Sequence, residues 1–472
     1  MKDLTDAQTA PLMDILEAQK AAHAADPYPT AARRINRLKR LESALIVAKD
    51  ELVQAMSDDF SHRGAFEAEM VDVTLVIGEI REARRHLRRW MRPRRRLLAK
   101  HLLPARARII PQPKGVVGII APWNFPVYLA LGPLAGALAA GNRAMIKPSE
   151  LSPRTSAVLV RLIEGTFAPE EVAVVTGGAD VGAAFAALPF GHLIFTGSTA
   201  VGRKVAEAAA QNLTPVTLEL GGKSPVFIGR SADLAHAAGR IAFGKTLNAG
   251  QACIAPDYVL VPREKLTQFA DLVEDAMRAQ YPSFRGNPDY TAMISEPHRA
   301  RIQAMVAEAE EAGAEMRRLA DLSGDETRRA EAPVLILDPP PGLQCMEEEI
   351  FGPVLPILPY DSEEEAQAFV AALPAPLALY IFTDRAAERD AWLTGSLAGG
   401  VSVNETAFHV IALPFGGVGA SGTGSYHGRE GFDTFSHLKS VLYQPKLNGT
   451  LLFKPPITGL KKRVGELLQR FI

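Results

Sequence analysis

Three residues far apart in the chain have the types that acyl chemistry needs: a thiol at Cys253, a carboxyl at Glu219 and a side-chain amide at Asn124. Cys253 lies in "NAGQACIAP" (248–256), a run of small residues with a proline and no aromatic neighbour. A thiol with a lowered pKa and open access is a strong nucleophile. Gly250, Ala252 and Ala255 leave room for a substrate to approach it. The backbone N–H of Cys253 can also donate to a developing oxyanion. The other reading is a packed, inert cysteine, the usual state of a lone thiol. Glu219, in "LELGGKSP" (218–225), ends an apolar strand before two glycines. Partial desolvation there raises a carboxyl toward the range of a useful general base; a capping or ion-paired Glu is the alternative. Asn124, in "APWNFP" (121–126), follows a strand and is flanked by prolines. A fixed amide at a strand end serves as an oxyanion donor, or it closes a turn.

A second set of motifs suits a nucleotide. In "FTGSTAVG" (195–202) a strand runs through Gly197 and Ser198 into a helix containing Gly202, and backbone N–H groups at a helix start bind phosphate. The G-x-G-x-x-G fingerprint is absent, so this motif is weak by itself. Lys147 and Glu150 of "IKPSE" (146–150) sit just past a strand. They suit the two hydroxyls of a ribose, or form a surface pair at a helix start. In "EEEIFGPVLPI" (347–357), Glu349 suits a second ribose and Phe351 a flat ring; an acidic loop is the alternative. There is no CxxC and no HExxH, and the ten histidines are scattered, so no metal site is expected.

The elements that must position these residues follow from periodicity. Ile35, Leu38, Leu41, Leu45, Ala48 and Leu52 share one face of a helix over 30–56, and a second helical pattern runs over 67–90. From 114 onward short apolar strands ("GVVGII", "NRAMIKP", "EVAVVTG", "HLIFTGS", "PVTLELGG") alternate with helices. That alternation implies βαβ units and a parallel sheet, which binds ligands beyond the carboxyl ends of its strands. A second series ("SPVFIG", "DYVLVP", "APVLILDP", "VLPILPY", "LALYIFT") follows, with helices over 264–279 and 297–312. A change of sheet near Gly221–Gly222 divides the chain into two α/β lobes.

Composition narrows the class. A chain of 472 residues exceeds one ordinary domain, and 47% hydrophobic with 22% charged residues is the balance of a soluble globular protein. A net charge of -1 argues against a nucleic-acid partner. The basic block "RRHLRRWMRPRRR" (84–96) reads as a solvated helix face or a surface paired with acids, rather than an anion-binding patch. Two cysteines fit a reducing, cytoplasmic setting. Acids near the N-terminus exclude a signal peptide there. The charge-free run between Lys114 and Arg143 contains three prolines, so it reads as strand, turn and helix rather than a membrane span. Cys345 has no reactive setting and reads as a bystander.

Taken together and in this order, the six motifs resemble the aldehyde dehydrogenase superfamily from about residue 30 to 442. The ending "PFGGVGASGTGSYHGREGFDTFSHLK" (414–439) resembles its class 3 branch, and the stretch around "LPARARIIPQPKGVVGIIAPWNFPVYLALGPL" resembles the bacterial coniferyl aldehyde dehydrogenase group. The resemblance implies an α/β fold with a Rossmann-like cofactor-binding domain (1–96 and 113–222), a second α/β catalytic domain (223–427) and a small β oligomerisation arm (97–112 and 428–446), followed by a tail (447–472). It implies a Cys253 nucleophile, an Asn124 oxyanion donor and a Glu219 base, with a free acid as product from an aromatic or medium-chain aldehyde. Trp123, Lys147, Ser149, Glu150, Gly197, Ser198, Gly202, Glu349 and Phe351 would hold NAD, with NADP as a second possibility, and Asn404 would support the active-site loop. A homodimer is expected. The tail "GLKKRVGELLQRFI" is a basic amphipathic helix candidate for a partner subunit or a membrane surface, with Leu460, Val464, Leu467, Leu468 and Phe471 on its apolar face. A cofactor-independent thiol esterase and a catalytically silent binding protein are the competing functions.

Overall fold

The computed structural model describes residues 6–99, 102–322, 327–406, 409–446, 448 and 454–469. Two large sheets and one small one organise it. The first has six strands in the order Gly422–Thr423, Val216–Glu219, His192–Thr196, Val116–Ile120, Arg143–Lys147 and Val172–Val174. All are parallel except the two-residue edge strand Gly422–Thr423, which runs antiparallel to Val216–Glu219. The chain starts this sheet at Val116–Ile120, winds outward to Val172–Val174, then returns to the other side at His192–Thr196. That reversal opens a crevice between the carboxyl ends of Val116–Ile120 and His192–Thr196, where doubly wound sheets bind ligands.

The first sheet is buried on both faces. Helix Tyr128–Ala140 is almost wholly buried and has no charged residue, so it fills the core rather than crossing a membrane. It stops at Gly141, whose φ of 96° is the left-handed conformation a glycine cap provides. Helix Ala31–Asp59 packs Leu38, Leu41, Leu45 and Leu52 into the same core, the face its spacing predicts. Its first turn is capped by Thr30, whose hydroxyl accepts from Arg33 N at 3.3 Å. The second sheet has seven strands: Glu315–Arg318, Val334–Leu337, Val354–Tyr360, Tyr258–Pro262, Pro225–Ile228, Ala378–Phe382 and Gly400–Val403. It is parallel apart from its Glu315–Arg318 edge.

Two differences from the sequence reading concern boundaries. The small sheet joins Arg94–Arg96, Arg106–Pro113 and Ser436–Tyr443, all antiparallel. The segment before it, expected in the arm, is helix Gly428–Thr434, and its Phe432, with Phe435 just beyond, lies in the core of the first lobe. Residues 422–423, expected in the second lobe, extend the sheet of the first. Large aromatic side chains buried against Tyr128–Ala140 outweigh proximity in sequence. The apolar residues of the N-terminal helix Asp6–Ala25 are mostly alanines spread around it, so its periodicity does not stand out; it docks through Leu12 and Leu16 and through Gln19, which donates to the Ala144 and Pro169 carbonyls. Two arginines of the basic block meet acids within the chain: Arg84 pairs with Glu42, beside Arg81 just upstream of the block, and Arg94 meets Asp433. In the tail, Leu460 and Leu467 of helix Gly459–Gln469 are exposed, while Phe471 and the Leu468 side chain lie outside the described residues.

Candidate active site

The crevice opens into a cavity of about 440 Å³. Trp123, Asn124, Gly197, Ser198, Glu219, Cys253, Glu349 and Phe351 all line it, although they span more than two hundred positions of sequence. Each arrives on the end of a different element. Trp123 and Asn124 follow Val116–Ile120, Gly197 and Ser198 follow His192–Thr196, and Glu219 ends the next strand. Gly197 N donates to the Glu219 carbonyl at 3.0 Å, which fixes that strand end beside its neighbour.

Cys253 follows three consecutive residues with positive φ: Asn248 (50°), Ala249 (52°) and Gly250 (75°). Only glycine takes such a conformation freely, so Asn248 and Ala249 store strain that the surroundings must hold. They do so with a dense set of hydrogen bonds. Asn248 Nδ2 donates to the Asn124 and Gln251 carbonyls at 3.0 and 3.1 Å, and the Gln251 side chain is pinned by Asn248 O, Ala292 O and Ile294 N. A Cβ on Gly250 would collide with the Gly352 carbonyl. Asn124 is buried, and its Nδ2 donates to Gln251 O at 3.2 Å. The oxyanion candidate and the nucleophile candidate thus share one backbone segment.

The prop beneath them is a short π-helical segment, Glu69–Thr74, between helices Ala65–Ala68 and Leu75–Trp90; such bulges recur at functional sites. Asp72 Oδ1 accepts from the Val127 and Tyr128 amides at 3.1 and 2.9 Å. Glu67 accepts from Asn248 N and from the Thr291 hydroxyl, each at 3.0 Å. Arg63, fully buried, lies 2.9 Å from Asp72 and 3.7 Å from Glu67.

Burial raises the proton affinity of the acids in the site. Glu219 is 2% exposed and neither carboxyl oxygen has a hydrogen-bond partner among the described residues. Burial alone raises its pKa well above the ordinary value. The Cys253 thiol, half-buried and open to the cavity, is pushed up to about 12 by burial and then by the Glu349 and Glu219 carboxyls, against which its own amide and that of Ile254 donate to the sulfur. Glu349 is raised to about 8 by burial and by Asp257; its carboxyl lies so close over Gly221 that no side chain fits there. Trp123 meets Phe351 edge-on at 5.4 Å and His298 at 4.9 Å.

Lys147, Ser149, Glu150, Gly202 and Asn404 lie outside the cavity walls, while Ser198 is part of them. Lys147 and Glu150 form an ion pair of 2.6 Å beyond the end of Arg143–Lys147, one strand along from the crevice. The Ser149 hydroxyl accepts from Leu151 N at 3.2 Å within the same turn. Ser198 caps helix Thr199–Ala210, accepting from Val201 N. Gly202 is inside that helix, where a Cβ would press on Leu220, so its visible role is packing. Asn404 bonds to Thr383 from both ends of its amide, joining the ends of Ala378–Phe382 and Gly400–Val403. Cys345 is fully buried away from the cavity. Glu67, Asp72, Tyr128, His298, His409 and Tyr426 were not visible as site residues from the sequence, since no local motif marks them. Among the described residues no group of side chains has metal-binding geometry, and no helix is long and apolar enough to cross a membrane.

The arrangement fits a nicotinamide dinucleotide. A capped twelve-residue helix offers free amides at Ser198, the Lys147–Glu150 pair lies along the same sheet edge, and the cavity continues from Gly197 to Glu349 and Phe351 beside the thiol. Comparison with known proteins agrees. The chain is 46% identical to a probable coniferyl aldehyde dehydrogenase of Caulobacter vibrioides over 99% of its length and 97% of that protein. The structure of Staphylococcus aureus AldH in a substrate-bound state superposes with a TM-score of 0.92 at 35% identity, covering 97% of this chain and 99% of that one. A P. syringae indole-3-acetaldehyde dehydrogenase in complex with NAD+ matches with a TM-score of 0.85 at 25% identity, covering 93% and 89%. The family model for the aldehyde dehydrogenase family matches residues 2–441, and the chain belongs to that family.

Proposed function

We propose that the protein oxidises an aromatic or medium-chain aldehyde to its carboxylic acid with NAD, through Cys253, Asn124 and Glu219. The observation that carries this reading is the meeting, in one cavity, of a thiol, a fixed amide and a carboxyl whose two oxygens have no hydrogen-bond partner among the described residues. The Cys253 sulfur attacks the aldehyde carbonyl carbon as the thiolate, its proton having passed to solvent. The Asn124 amide and the Cys253 backbone N–H hold the resulting oxyanion. NAD, when bound, supplies the hydride acceptor. Loss of hydride from the adduct leaves an acyl thioester on Cys253. Glu219 then takes a proton from water, which attacks the thioester and releases the acid.

Lys147 and Glu150 would hold one ribose, Ser198 the pyrophosphate and Glu349 the other ribose, with Trp123 and Phe351 beside the ring. The C. vibrioides relative's name supports an aryl aldehyde such as coniferaldehyde, as do the aromatic walls Phe125, Phe415 and Tyr426. The exposed strand Ser436–Tyr443 at the edge of the small sheet supports pairing with a second copy, and the low cysteine count supports a cytoplasmic setting. The test is NADH formation from coniferaldehyde, benzaldehyde, hexanal and succinic semialdehyde. Activity on the last alone would sink the aromatic assignment, and full turnover by Cys253→Ser would sink the mechanism.

A further inference from the structure

One side of the cavity carries a cluster of titratable groups that the reaction does not use. Tyr128, His409, Phe415 and Tyr426 line the cavity there, and His427 and Glu79 lie behind them. The Tyr128 hydroxyl is 3.2 Å from His409 Nδ1, 3.3 Å from His427 Nδ1 and 3.4 Å from Glu79 Oε1. Glu79 also contacts His427 Nδ1 and accepts from Gly428 N. His427 holds a φ of 81°, a conformation rare for any residue but glycine. Four buried or half-buried polar side chains from four separate places in the chain are an expensive arrangement beside apolar walls such as Val71, Leu75, Phe125, Leu129 and Leu247.

The cluster has spare hydrogen-bonding capacity on its cavity side. Both ring nitrogens of His409 lie near the same Tyr128 oxygen, Nε2 at 3.5 Å, and one hydroxyl cannot engage both. His409 has no other hydrogen-bond partner among the described residues, so one nitrogen is available to a ligand. Burial and the neighbouring His427 push His409 down to about 3, and burial pushes His427 down to about 3 as well. Both rings are therefore neutral near neutral pH, each with one donor and one acceptor. The site offers no fixed positive charge to an anion; it suits a neutral group that both donates and accepts. Tyr128 and His409 line the same cavity as Cys253 and Asn124, so this polar corner faces the space in which a substrate held at the thiol would lie.

We propose that Tyr128 and His409, held by His427 and Glu79, form a specificity subsite that reads a phenolic hydroxyl at the far end of an aryl aldehyde. The inference rests on the proposed aldehyde oxidation at Cys253 and deepens it. A site built to bond a hydroxyl discriminates strongly against the analogue lacking it, because its own polar groups are then left unpaired.

The experiment compares kcat/KM, by NADH formation, for coniferaldehyde against cinnamaldehyde and for 4-hydroxybenzaldehyde against benzaldehyde. For the unaltered protein the phenolic member is expected to be favoured by at least about tenfold in each pair. In Tyr128→Phe and His409→Phe the preference falls to within about twofold of unity, and His409→Gln, which still donates and accepts, retains part of it. Equal kcat/KM for both members of each pair in the unaltered protein overturns the subsite alone, as does a preference that survives both phenylalanine variants. No NADH from any aldehyde overturns the reading of the reaction, and the subsite with it. The unaltered protein decides the matter even where a variant does not fold.

Discussion

Asn124 donates its side-chain amide to the carbonyl of Gln251 at 3.2 Å, two residues before the thiol it serves. The amide is therefore oriented before any substrate arrives, as a preorganised oxyanion donor must be. Replacing Asn124 by Ala is expected to lower kcat by about 100-fold or more, the usual cost of one such donor, with a smaller change in KM. A loss under fivefold in steady-state NADH formation would show that the Cys253 amide carries the oxyanion alone.

The Cys253 thiol, pushed up to about 12, is protonated at neutral pH in the protein without ligands. Alkylation by iodoacetamide should accordingly be slower than that of free cysteine at pH 8, and its rate should still be climbing at pH 10. A rate that levels off below pH 8 would mean a thiolate stabilised by something other than the two donating amides. The same measurement with NAD added reports whether cofactor binding changes the thiol's surroundings.

Glu219→Gln should separate the two halves of the reaction. With no base for hydrolysis, the acyl thioester accumulates, giving a burst of one NADH per site followed by slow turnover. Stability supplies a second readout. The folded Glu219 has a raised pKa, so the fold keeps a proton that the unfolded chain releases above the ordinary carboxylate range. Its contribution is fully present below that range and is lost as pH rises through the folded value; Glu349, at about 8, acts in the same sense. Thermal midpoints at pH 6 and pH 9 should therefore show the Gln variant gaining on the parent as pH rises. An unchanged difference would mean the buried carboxyl is solvated.

Gly250→Ala places a methyl against the Gly352 carbonyl at a position with φ of 75°. The expected cost is on the order of 1–3 kcal/mol, read from chemical denaturation, with a larger loss of kcat because Cys253 moves with the loop. Stability lost without activity lost would sink the view that this turn sets the sulfur's position.

Glu150, paired with Lys147 at 2.6 Å, puts a carboxylate where a 2′-phosphate of NADP would lie if the pair holds the adenosine ribose. NAD should be the better substrate, and Glu150→Gln should raise the NADP-to-NAD ratio of kcat/KM by about tenfold. Equal or better use of NADP by the unaltered protein defeats this reading.

Strands and motifs were legible in the sequence because each is local. "HLIFTGS" is a buried strand with a glycine stop wherever it occurs, and "NAGQACIAP" shows its small residues at once. What the sequence hid depends on partners far away. Glu67 and Asp72 sit in an ordinary helical pattern, and only folding brings them to Asn248 and Tyr128. Segment 428–434, expected in the β arm, carries two glycines and is set as a helix by the burial of Phe432 and Phe435 against Tyr128–Ala140. Gly202 shows the converse: a motif glycine that suggested phosphate instead clears space for Leu220.

Glu67 and Asp72 grip the two reacting sides through five residues of one helical stretch: Asp72 holds the segment bearing Asn124, and Glu67 holds the turn bearing Cys253. The spacing of sulfur and amide is thus gauged from the N-terminal helices as well as by the direct bonds between Asn124 and the turn at 248–251. Part of the site's precision therefore resides in two carboxylates that do not line the cavity at all.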